Sequence, residues 1–296
     1  MLDFRILTFL DLCKTHNYTR TAENLFITQP AVSQHIKYLE TEYGAKLFYY
    51  RDRTLTLTEA GKTLKRCATV MYANCRSIKD KLADCTVTKR QLRFAATLTI
   101  GEFVLPPYIN RYLLSNSGAS VSMLVENTSV ILNLLRENAI DFAVVEGYFP
   151  QDEFRSRLMQ RERYIAVCSP SYPLKREVSR IADLINESLV VREEGSGTRE
   201  IVERVLEEQN LHFSDFPLIN EVGNMNAIKY LVANNRGISF MYESAARAEI
   251  DSGVLREIHL LDFNFYREFN FIMLKGSLFS DDFESIFFND ILAGGR

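Results

Sequence analysis

Residues 18–44 contain two short helical patterns in succession, and this segment restricts the fold more than any other part of the chain. In the first pattern the residues expected to face inward are Ala22, Leu25 and Phe26. In the second pattern the inward residues recur at spacings of three and four, namely Val32, Ile36, Leu39 and Tyr43. Pro30 fits the first turn of a helix, where its missing N–H costs little. The segment therefore predicts a helix-turn-helix whose second helix enters a DNA major groove.

The opposite face of the second helix carries short polar side chains, which suit base edges. Gln29 and Gln34 can each form two hydrogen bonds with an adenine edge, and Ser33 can donate or accept one. Pro30 and Ala31 can contact a thymine methyl group. The cations expected to bind phosphates are Arg20, Lys37, Arg51 and Arg53. The alternative is an ordinary solvated helix face, which charge and apolar patterning both disfavour.

Residues 45–57 resemble a two-stranded wing with a turn at residues 51–53, and Thr58 stands where a helix N-cap is expected. A long helix is predicted from there to about Cys85. Its apolar residues repeat in heptads and predict a dimerisation seam made of Leu64, Ala68, Met71, Cys75, Ile78 and Leu82. The same seam would also suit packing within one chain. Cys75 and Cys85 are read as small apolar fillers, with a redox switch between subunits as the alternative.

Charge divides the chain into two parts with different expected partners. Residues 1–90 hold 15 Lys and Arg against 9 Asp and Glu, which gives +6, and the remaining 20 and 29 give −9. The basic part suits phosphates, whereas the acidic part would be repelled by them. With 296 residues and five cysteines that form no C-x-x-C pair, the chain is expected to have two domains and no metal site. Without a signal peptide or membrane anchor, a cytoplasmic location is expected.

Short apolar strands alternate with helical segments beyond a polar hinge at residues 86–91, which predicts mainly parallel α/β sheets. The expected strands are residues 92–96, 121–126, 141–146, 164–168, 188–191, 218–222, 238–241 and 270–274.

Taken together, these residues resemble the LysR-type transcriptional regulators. The N-terminal resemblance rests on Phe9, residues 22–25, 29–36, 39–40, Gly44, 47–48, Arg51 and 57–61. In the C-terminal part it rests on residues 105–106, 141–144, 193–199 and 237–238. Residues 99–103 and 195–199 further resemble the subgroup that controls carbon-fixation and sulfur-assimilation genes.

The resemblance implies an α/β protein with an N-terminal all-α winged helix-turn-helix, followed by an effector domain of two α/β subdomains like a periplasmic binding protein. The expected boundaries are residues 1–58 for the winged domain, 59–87 for the linker helix and 88–296 for the effector domain. Within the last, subdomain I would comprise residues 92–163 and 266–296, and subdomain II residues 164–265. Expected partners are double-stranded DNA with inverted-repeat half-sites, a second copy of the chain, a tetramer built as a dimer of dimers, and RNA polymerase.

Two strand-to-helix junctions, one in each subdomain, predict the effector site. Hydroxyl groups and N–H groups at helix starts attract anions, so a small anionic metabolite or inorganic oxyanion is the expected effector, with no cofactor. The predicted contacts are Thr97, Thr99, Ile100, Glu146, Ser196, Gly197, Thr198 and Arg199. The alternative is that Ser and Thr are ordinary helix caps. Glu146 opposes an anion unless Arg192 or Arg199 offsets it.

Three other functions remain as alternatives. An enzyme is disfavoured because the glycines that a nucleophile elbow needs are replaced by Glu194 and Thr198. A solute-binding protein is disfavoured by the basic N-terminal segment and the missing signal peptide. A DNA-binding protein without ligand control differs from a regulator only in ligand binding.

Overall fold

The computed structural model describes residues 2–51, 54–84, 90–174 and 178–293. The N-terminal part consists of α1 Phe4–Thr15, α2 Tyr18–Asn24, α3 Gln29–Glu42, β1 Phe48–Arg51, β2 Thr54–Leu57 and α4 Glu59–Asp84. Within the described ranges, no helix is long and apolar enough to cross a membrane.

Side chains cap the starts of these helices, which fixes where each one begins. Asn17 accepts hydrogen bonds from two backbone N–H groups at the start of α2, and Thr28 accepts one from the Ala31 N–H at the start of α3. Pro30 lies in the first turn of α3 as predicted. Thr58 accepts a hydrogen bond from the Gly61 N–H at 2.9 Å, which confirms it as the cap of α4.

One apolar cluster holds this domain together. It includes Phe9 and Leu12 of α1, Ile36 and Leu39 of α3, and the wing residue Leu55, each with at most 6% of its surface exposed. β1 and β2 pair antiparallel as the predicted wing. The expected helix-turn-helix with a wing is therefore present.

Two of the residues predicted to face inward do not. Phe26 is 95% exposed and Tyr43 is 54% exposed. α2 ends at Asn24, and Phe26 adopts a left-handed backbone conformation with φ of 55° in the turn. Helical spacing no longer applies beyond a helix end, so these two predictions were wrong.

The C-terminal part has nine strands in the described residues: β3 Arg90–Ala96, β4 Ala119–Val125, β5 Phe142–Val145, β6 Phe154–Cys168, β7 Ser188–Val191, β8 Leu218–Glu221, β9 Ser239–Tyr242, β10 Arg256–Ile258 and β11 Phe265–Leu274. Its α-helices are α5 Leu105–Ser115, α6 Thr128–Arg136, α7 Gly197–Glu208, α8 Met225–Ala233, α9 Glu243–Asp251 and α10 Ser280–Ser285. One π-helical turn, Ile100–Val104, leads into α5, and a second, Ile286–Leu292, follows α10. Two 3₁₀ turns occupy Ile181–Asn186 and Phe213–Asp215.

Two long strands join the two subdomains. β6 and β11 pair antiparallel along ten residues, with a register shift between Phe269 and Asn270. In subdomain I the end of β11 continues the order β11-β5-β3-β4, and in subdomain II the end of β6 pairs with β9 and β10. β7 pairs with β8, and Leu189 of β7 bridges to Ile238 beside β9. Both subdomains are thus α/β layers that share their crossing strands, as predicted.

The prediction of mainly parallel sheets was wrong for the strands that cross between subdomains. β3 pairs parallel with β4 and β5, and β7 with β8, as the alternation suggested. β6, however, pairs antiparallel with β9, β10 and β11. A chain that leaves a subdomain by one strand and returns by the next must run back in the opposite direction, which periodicity alone does not reveal.

Candidate DNA interface and effector site

The predicted base-reading residues lie together on the exposed side of α3. Gln29, Pro30 and Gln34 are exposed, while Ala31 and Ser33 are half-buried. The Gln29 side-chain amide donates a hydrogen bond to Ser33 Oγ at 3.1 Å. This contact restricts the Gln29 rotamer, so two of the proposed reading groups are held in a fixed arrangement before DNA arrives.

Contacts behind α3 fix the helix against α1. Thr8 Oγ1 and His35 Nδ1 are hydrogen-bonded at 2.9 Å, and the His35 ring meets the edge of Phe4. Burial, and next to it the cationic Arg5, lower the pKa of His35, which favours the neutral ring. The Arg5 guanidinium also stacks over Tyr38 at 3.7 Å from the ring centroid. None of these supporting residues was identified from the sequence.

The cations predicted to bind phosphates belong to the same domain. Arg20 and Lys37 are exposed, and Arg51 ends the first wing strand. Arg53 lies outside the described residues. The wing also presents Tyr49 and Tyr50, which are 60% and 75% exposed. These tyrosines were not predicted as site residues from the sequence, because aromatic residues are common in any β-hairpin.

The predicted seam on α4 divides into two parts. Leu64 and Ala68 pack on the apolar cluster of their own DNA-binding domain. Further along the helix Met71, Ile78 and Leu82 are exposed, and Cys75 is half-buried. Packing within one chain thus accounts for the first two seam positions, and the exposed row remains available to a second copy. Cys85 lies outside the described residues, so the redox alternative stays an expectation.

The first strand-to-helix junction is built around Thr97. Its backbone N–H donates to the Val144 carbonyl, and its hydroxyl accepts from the Glu146 N–H at 3.4 Å. Thr99 is buried, precedes the π-helical turn and forms no side-chain cap there. π-helical turns recur at functional sites. The Ile100 side chain is fully buried in the core, so only its backbone faces the junction.

The second junction is the start of α7. Ser196 Oγ and Thr198 Oγ1 are hydrogen-bonded to each other at 2.9 Å, and Ser196 does not cap the helix with its side chain. Gly197 is the exposed first residue of the helix. The alternative interpretation of these residues as ordinary helix caps is therefore not realised at either junction.

A line of contacts connects the two junctions. Tyr242 lies close enough to the Glu146 carboxyl to lower the pKa of that carboxyl. The Tyr242 ring meets Tyr164 edge to face at 5.0 Å, and the Tyr164 hydroxyl donates to the Thr198 carbonyl at 2.9 Å. We call Thr97, Glu146, Tyr242, Tyr164, Thr198 and Ser196 the junction cluster. It brings together residues predicted from separate subdomains.

Tyr164 and Tyr242 were missed by sequence reasoning. Tyr242 follows the predicted strand at residues 238–241, so the rule that ligands lie at the carboxyl ends of strands would have found it. Tyr164 lies within a strand, where a buried aromatic residue resembles any core residue. Burial is the largest cause that raises the pKa of both tyrosines, so both hydroxyls act as neutral donors.

The arginines near the cluster differ in how they are engaged. Arg199 contacts Glu203 at 2.8 Å and Glu221 at 2.5 Å, which draws its guanidinium toward β8. Arg192 forms two hydrogen bonds of 2.7 Å with Glu193. Arg192 nevertheless acts on Glu146 through space, as does Arg267 of β11. Of the two arginines considered as offsets, Arg192 lowers the pKa of Glu146, but its effect is smaller than that of burial.

A large cavity of about 990 Å³ lies elsewhere, between the DNA-binding domain and subdomain I. Its lining includes Lys14, Arg66, Arg136, Glu137 and Glu153, and none of the junction cluster. Among the described residues no group of three or more His, Cys, Asp or Glu side chains could hold a metal ion.

The fold and the two candidate sites define a class of protein, a winged helix-turn-helix joined by a linker helix to a two-lobed ligand-binding domain. Residues 5–62 match the family model described as bacterial regulatory helix-turn-helix protein, lysR family, and residues 86–285 match the LysR substrate binding domain. The chain belongs to the LysR family of transcriptional regulators, as the resemblance predicted.

Curated relatives match along nearly the whole chain. The HTH-type transcriptional regulator CysL of Bacillus subtilis is 30% identical over 269 residues, which cover 90% of this chain and 88% of that protein. The RuBisCO operon transcriptional regulator of Allochromatium vinosum is 28% identical over 286 residues, which cover 94% and 92%. These matches confirm the resemblance to the subgroup of carbon-fixation regulators.

Solved structures share the fold. Full-length LysG of Corynebacterium glutamicum, with bound effector Arg, aligns with a TM-score of 0.66 at 17% identity, covering 99% of this chain and 98% of that one. The CcmR regulatory domain of Synechocystis, in complex with 2-PG, aligns with a TM-score of 0.58 at 21% identity, covering 69% and 98%.

Proposed function

We propose that this regulator binds two DNA half-sites as a homodimer and is controlled by a small anion, either a metabolite or an inorganic oxyanion, at the junction cluster. Gln29, Ser33 and Gln34 would read base edges, with Pro30 and Ala31 beside thymine methyl groups. The phosphate contacts would come from Arg20, Lys37, Arg51 and Arg53. The exposed residues of α4 would join the two copies, and two dimers would form a tetramer.

The effector proposal rests mainly on one observation, which is that the hydroxyl groups at the two junctions do not cap the helices that begin there. Ser196 and Thr99 stand at helix starts without serving as side-chain caps. The backbone N–H groups of the first turn of α7 therefore have no side-chain acceptor from Ser196, and an anion can accept from them. The ligands bound to LysG and CcmR support a small-molecule effector, while the preference for an anion rests on these residues.

A thermal-shift and calorimetry panel tests this assignment on the full chain. Sulfate, 2-PG, glycolate, arginine and a neutral sugar should be compared at pH 6 and constant ionic strength. We expect stabilisation by one or more of the anions. Stabilisation by arginine or the sugar alone contradicts an anionic effector, and no response to any compound favours a regulator without ligand control.

A matched pair of variants locates the site. Ser196→Ala removes a proposed ligand contact, whereas Ser214→Ala removes an exposed hydroxyl from the short turn Phe213–Asp215. A hydrogen bond to a charged ligand contributes about 1.5–3 kcal/mol, so the first variant should weaken binding about 10- to 100-fold. The second should bind as the unaltered protein does. Equal affinities for both variants would remove Ser196 from the site.

The mechanism we propose is a shift between two relative arrangements of the subdomains, which alters the spacing of the two DNA-binding domains. Only a ligand with different affinities for the two arrangements can cause such a shift. Footprints on operator DNA with and without the anion that binds should differ in the protected length or in bending. Identical footprints and identical transcription contradict the mechanism.

A further inference from the structure

Glu146 is a carboxyl group with an unusual position in the proposed anion site. It directly follows β5, its backbone N–H donates to Thr97, and its carbonyl accepts from the Thr128 hydroxyl at 3.2 Å. Its backbone is therefore held between the first junction and the start of α6. Although other atoms of Glu146 reach solvent, Oε2 is shielded from it and has no hydrogen-bond partner among the described residues.

The negative charge of an ionised Glu146 carboxylate would have no ion-pair partner among the described residues. Four titratable or charged groups on other strands interact with it: Tyr242 at the end of β9, Tyr164 of β6, Arg267 of β11 and Arg192 just after β7. Among the described residues, neither arginine approaches the Glu146 carboxyl within 4.0 Å, the distance of an ion pair, and Arg192 is bound to Glu193. A buried charge without an ion-pair partner is costly, so protonation relieves the strain on this site.

We propose that effector binding is proton-linked: the junction cluster takes up its anion with the Glu146 carboxyl protonated, and this carboxyl donates its proton to an effector oxygen. This inference rests on the proposed anionic effector. Where the free carboxyl is ionised, each anion that binds is accompanied by one proton from solvent, which forms the carboxyl O–H bond and offsets one negative charge of the anion. A carboxyl group that would repel an anion when ionised then becomes one of its donors.

The electrostatics of the free protein agree with this geometry. Burial raises the pKa of Glu146 to about 7, and the opposing effects of Tyr242, Arg267 and Arg192 are smaller. The pKa of this carboxyl therefore lies near neutral pH, and both protonation states are accessible in the free protein. An incoming anion adds negative charge next to it and raises its pKa further, which is the condition for proton uptake on binding.

Calorimetry with sulfate tests the proposal, because sulfate does not titrate between pH 5.5 and pH 9, about the range of interest for a linked carboxyl. The association constant of the full-length protein should be level at acidic pH. It should fall toward about tenfold per pH unit on the alkaline side, as linkage to one proton requires. Titrations at pH 8 in two buffers of different ionisation enthalpy should report an uptake approaching one proton per sulfate bound.

Glu146→Gln is the informative variant, because it keeps the shape of the side chain and a donor group but cannot ionise. It should bind sulfate with an affinity that does not depend on pH, and at pH 9 it should bind about 100-fold more tightly than the unaltered protein. Glu208→Gln removes an equal charge from an exposed position of α7 and should retain the pH dependence. If the Glu146 variant fails to fold, the two-buffer measurement on the unaltered protein still shows whether sulfate binding takes up a proton.

The outcomes separate this inference from the proposed function. Sulfate binding that is independent of pH, or that takes up no proton, overturns the role of Glu146 and leaves the anionic effector standing. Tighter binding of glycolate at alkaline pH, with no dependence on its own titration, indicates an ionised Glu146 that accepts from the glycolate hydroxyl and also overturns the inference. No binding of sulfate, 2-PG or glycolate to either protein at pH 6 overturns both proposals.

Discussion

Gln34 and Lys37 lie one turn apart on the exposed face of α3, but their chemistry suits different contacts with DNA. An amide can form two hydrogen bonds with an adenine edge, and the loss of such a pair costs about 1–3 kcal/mol of discrimination. We therefore expect Gln34→Ala to relax the preference at one base pair in each half-site by this amount. Binding to a library of single-base operator variants, measured at fixed salt concentration, checks the prediction.

Lys37→Ala provides the contrasting control. A phosphate contact carries no sequence information, so this variant should weaken binding to operator and random DNA about equally. It should also lower the slope of log K against log salt by about 1. If Gln34→Ala behaves in the same way as Lys37→Ala, then Gln34 does not read a base.

Gly61 lies near the start of α4, at a position where no side chain larger than a hydrogen atom fits. A Cβ added at this position would lie 2.1 Å from the Leu47 carbonyl oxygen and 2.9 Å from the Leu57 side chain. In an open helix, alanine would be more stable than glycine by about 1 kcal/mol. Here overpacking should dominate, so Gly61→Ala should destabilise the domain by about 1–3 kcal/mol in chemical denaturation.

Gly197→Ala is the matched control for this substitution. Gly197 also begins a helix, but a Cβ there meets nothing within 4 Å. Its replacement should leave stability unchanged or raise it slightly. A Gly61→Ala protein as stable as the Gly197→Ala protein would show that the wing moves aside without cost.

The position of a residue could be predicted from the sequence where it depends on the nearest few residues. It could not be predicted where it depends on contacts between distant parts of the chain. Thr58 and Pro30 were placed correctly because capping and the first turn of a helix involve only the nearest few residues. Phe26 was misplaced because the end of α2 came one residue before the predicted inward position at Leu25. The environment of Glu146 could not be foreseen, since it combines Thr97, Tyr242 and two arginines from other strands.

At the scale of elements, α4 contacts both the DNA-binding domain and subdomain I. Leu64 and Ala68 pack on the DNA-binding domain, whereas Val70 and Ala73 pack on subdomain I. The Asn74 amide donates to the Gly276 carbonyl at 3.0 Å, and Asn74 Oδ1 accepts from the Leu278 N–H. The heptad pattern predicted an apolar stripe correctly. Periodicity does not state which surface covers a stripe, so the division among three surfaces emerged only from the structure.

The exposed part of α4 carries the prediction for the dimer. Ile78 is 41% exposed in the single chain, so covering this remaining surface on both copies would contribute about 1–2.5 kcal/mol to the dimer. Ile78→Glu should therefore raise the dimer dissociation constant at least about tenfold in sedimentation equilibrium. Cys67→Glu places the same charge on an exposed residue outside the seam and should leave the dimer intact. Equal dissociation of both variants would indicate a general effect of charge on α4.

The strands illustrate a related limit. The carboxyl-terminal half of β11 was predicted at residues 270–274, but the strand begins at Phe265. Likewise β6 begins at Phe154, ten residues before the predicted start at Tyr164. The unpredicted halves are rich in charged residues such as Arg155, Arg157 and Arg161, and no apolar alternation marks them. Residues 160–163 of β6 pair with residues 266–269 of β11, and residues 154–158 pair with the predicted half of β11, so these segments are strands for a tertiary reason.

At the scale of the whole molecule, α1 and α4 also form polar contacts with subdomain I of their own chain, in addition to the apolar packing of α4. Lys14 of α1 meets Glu137, and Arg76 of α4 donates to the Glu137 carbonyl at 3.1 Å. Both side chains of the Lys14–Glu137 pair are about half exposed, and such pairs contribute at most about 1 kcal/mol. A rotation of this domain would therefore lose little energy at that contact, which leaves the arrangement open to control by a ligand.

This arrangement leads to a quantitative prediction about the coupling between the two sites. If the anion changes operator affinity by some factor, the operator must change anion affinity by the same factor, because both measure one coupling free energy. Couplings of about 5- to 150-fold are typical. The factor should be measured both ways, as operator affinity at saturating anion and as anion affinity at saturating operator. Random DNA is the control. Phosphate contacts tolerate many spacings of the two DNA-binding domains, so the coupling factor measured with random DNA should be near one. If the footprint changes with the anion while operator DNA leaves anion affinity unaltered, the two sites are not linked through the proposed shift.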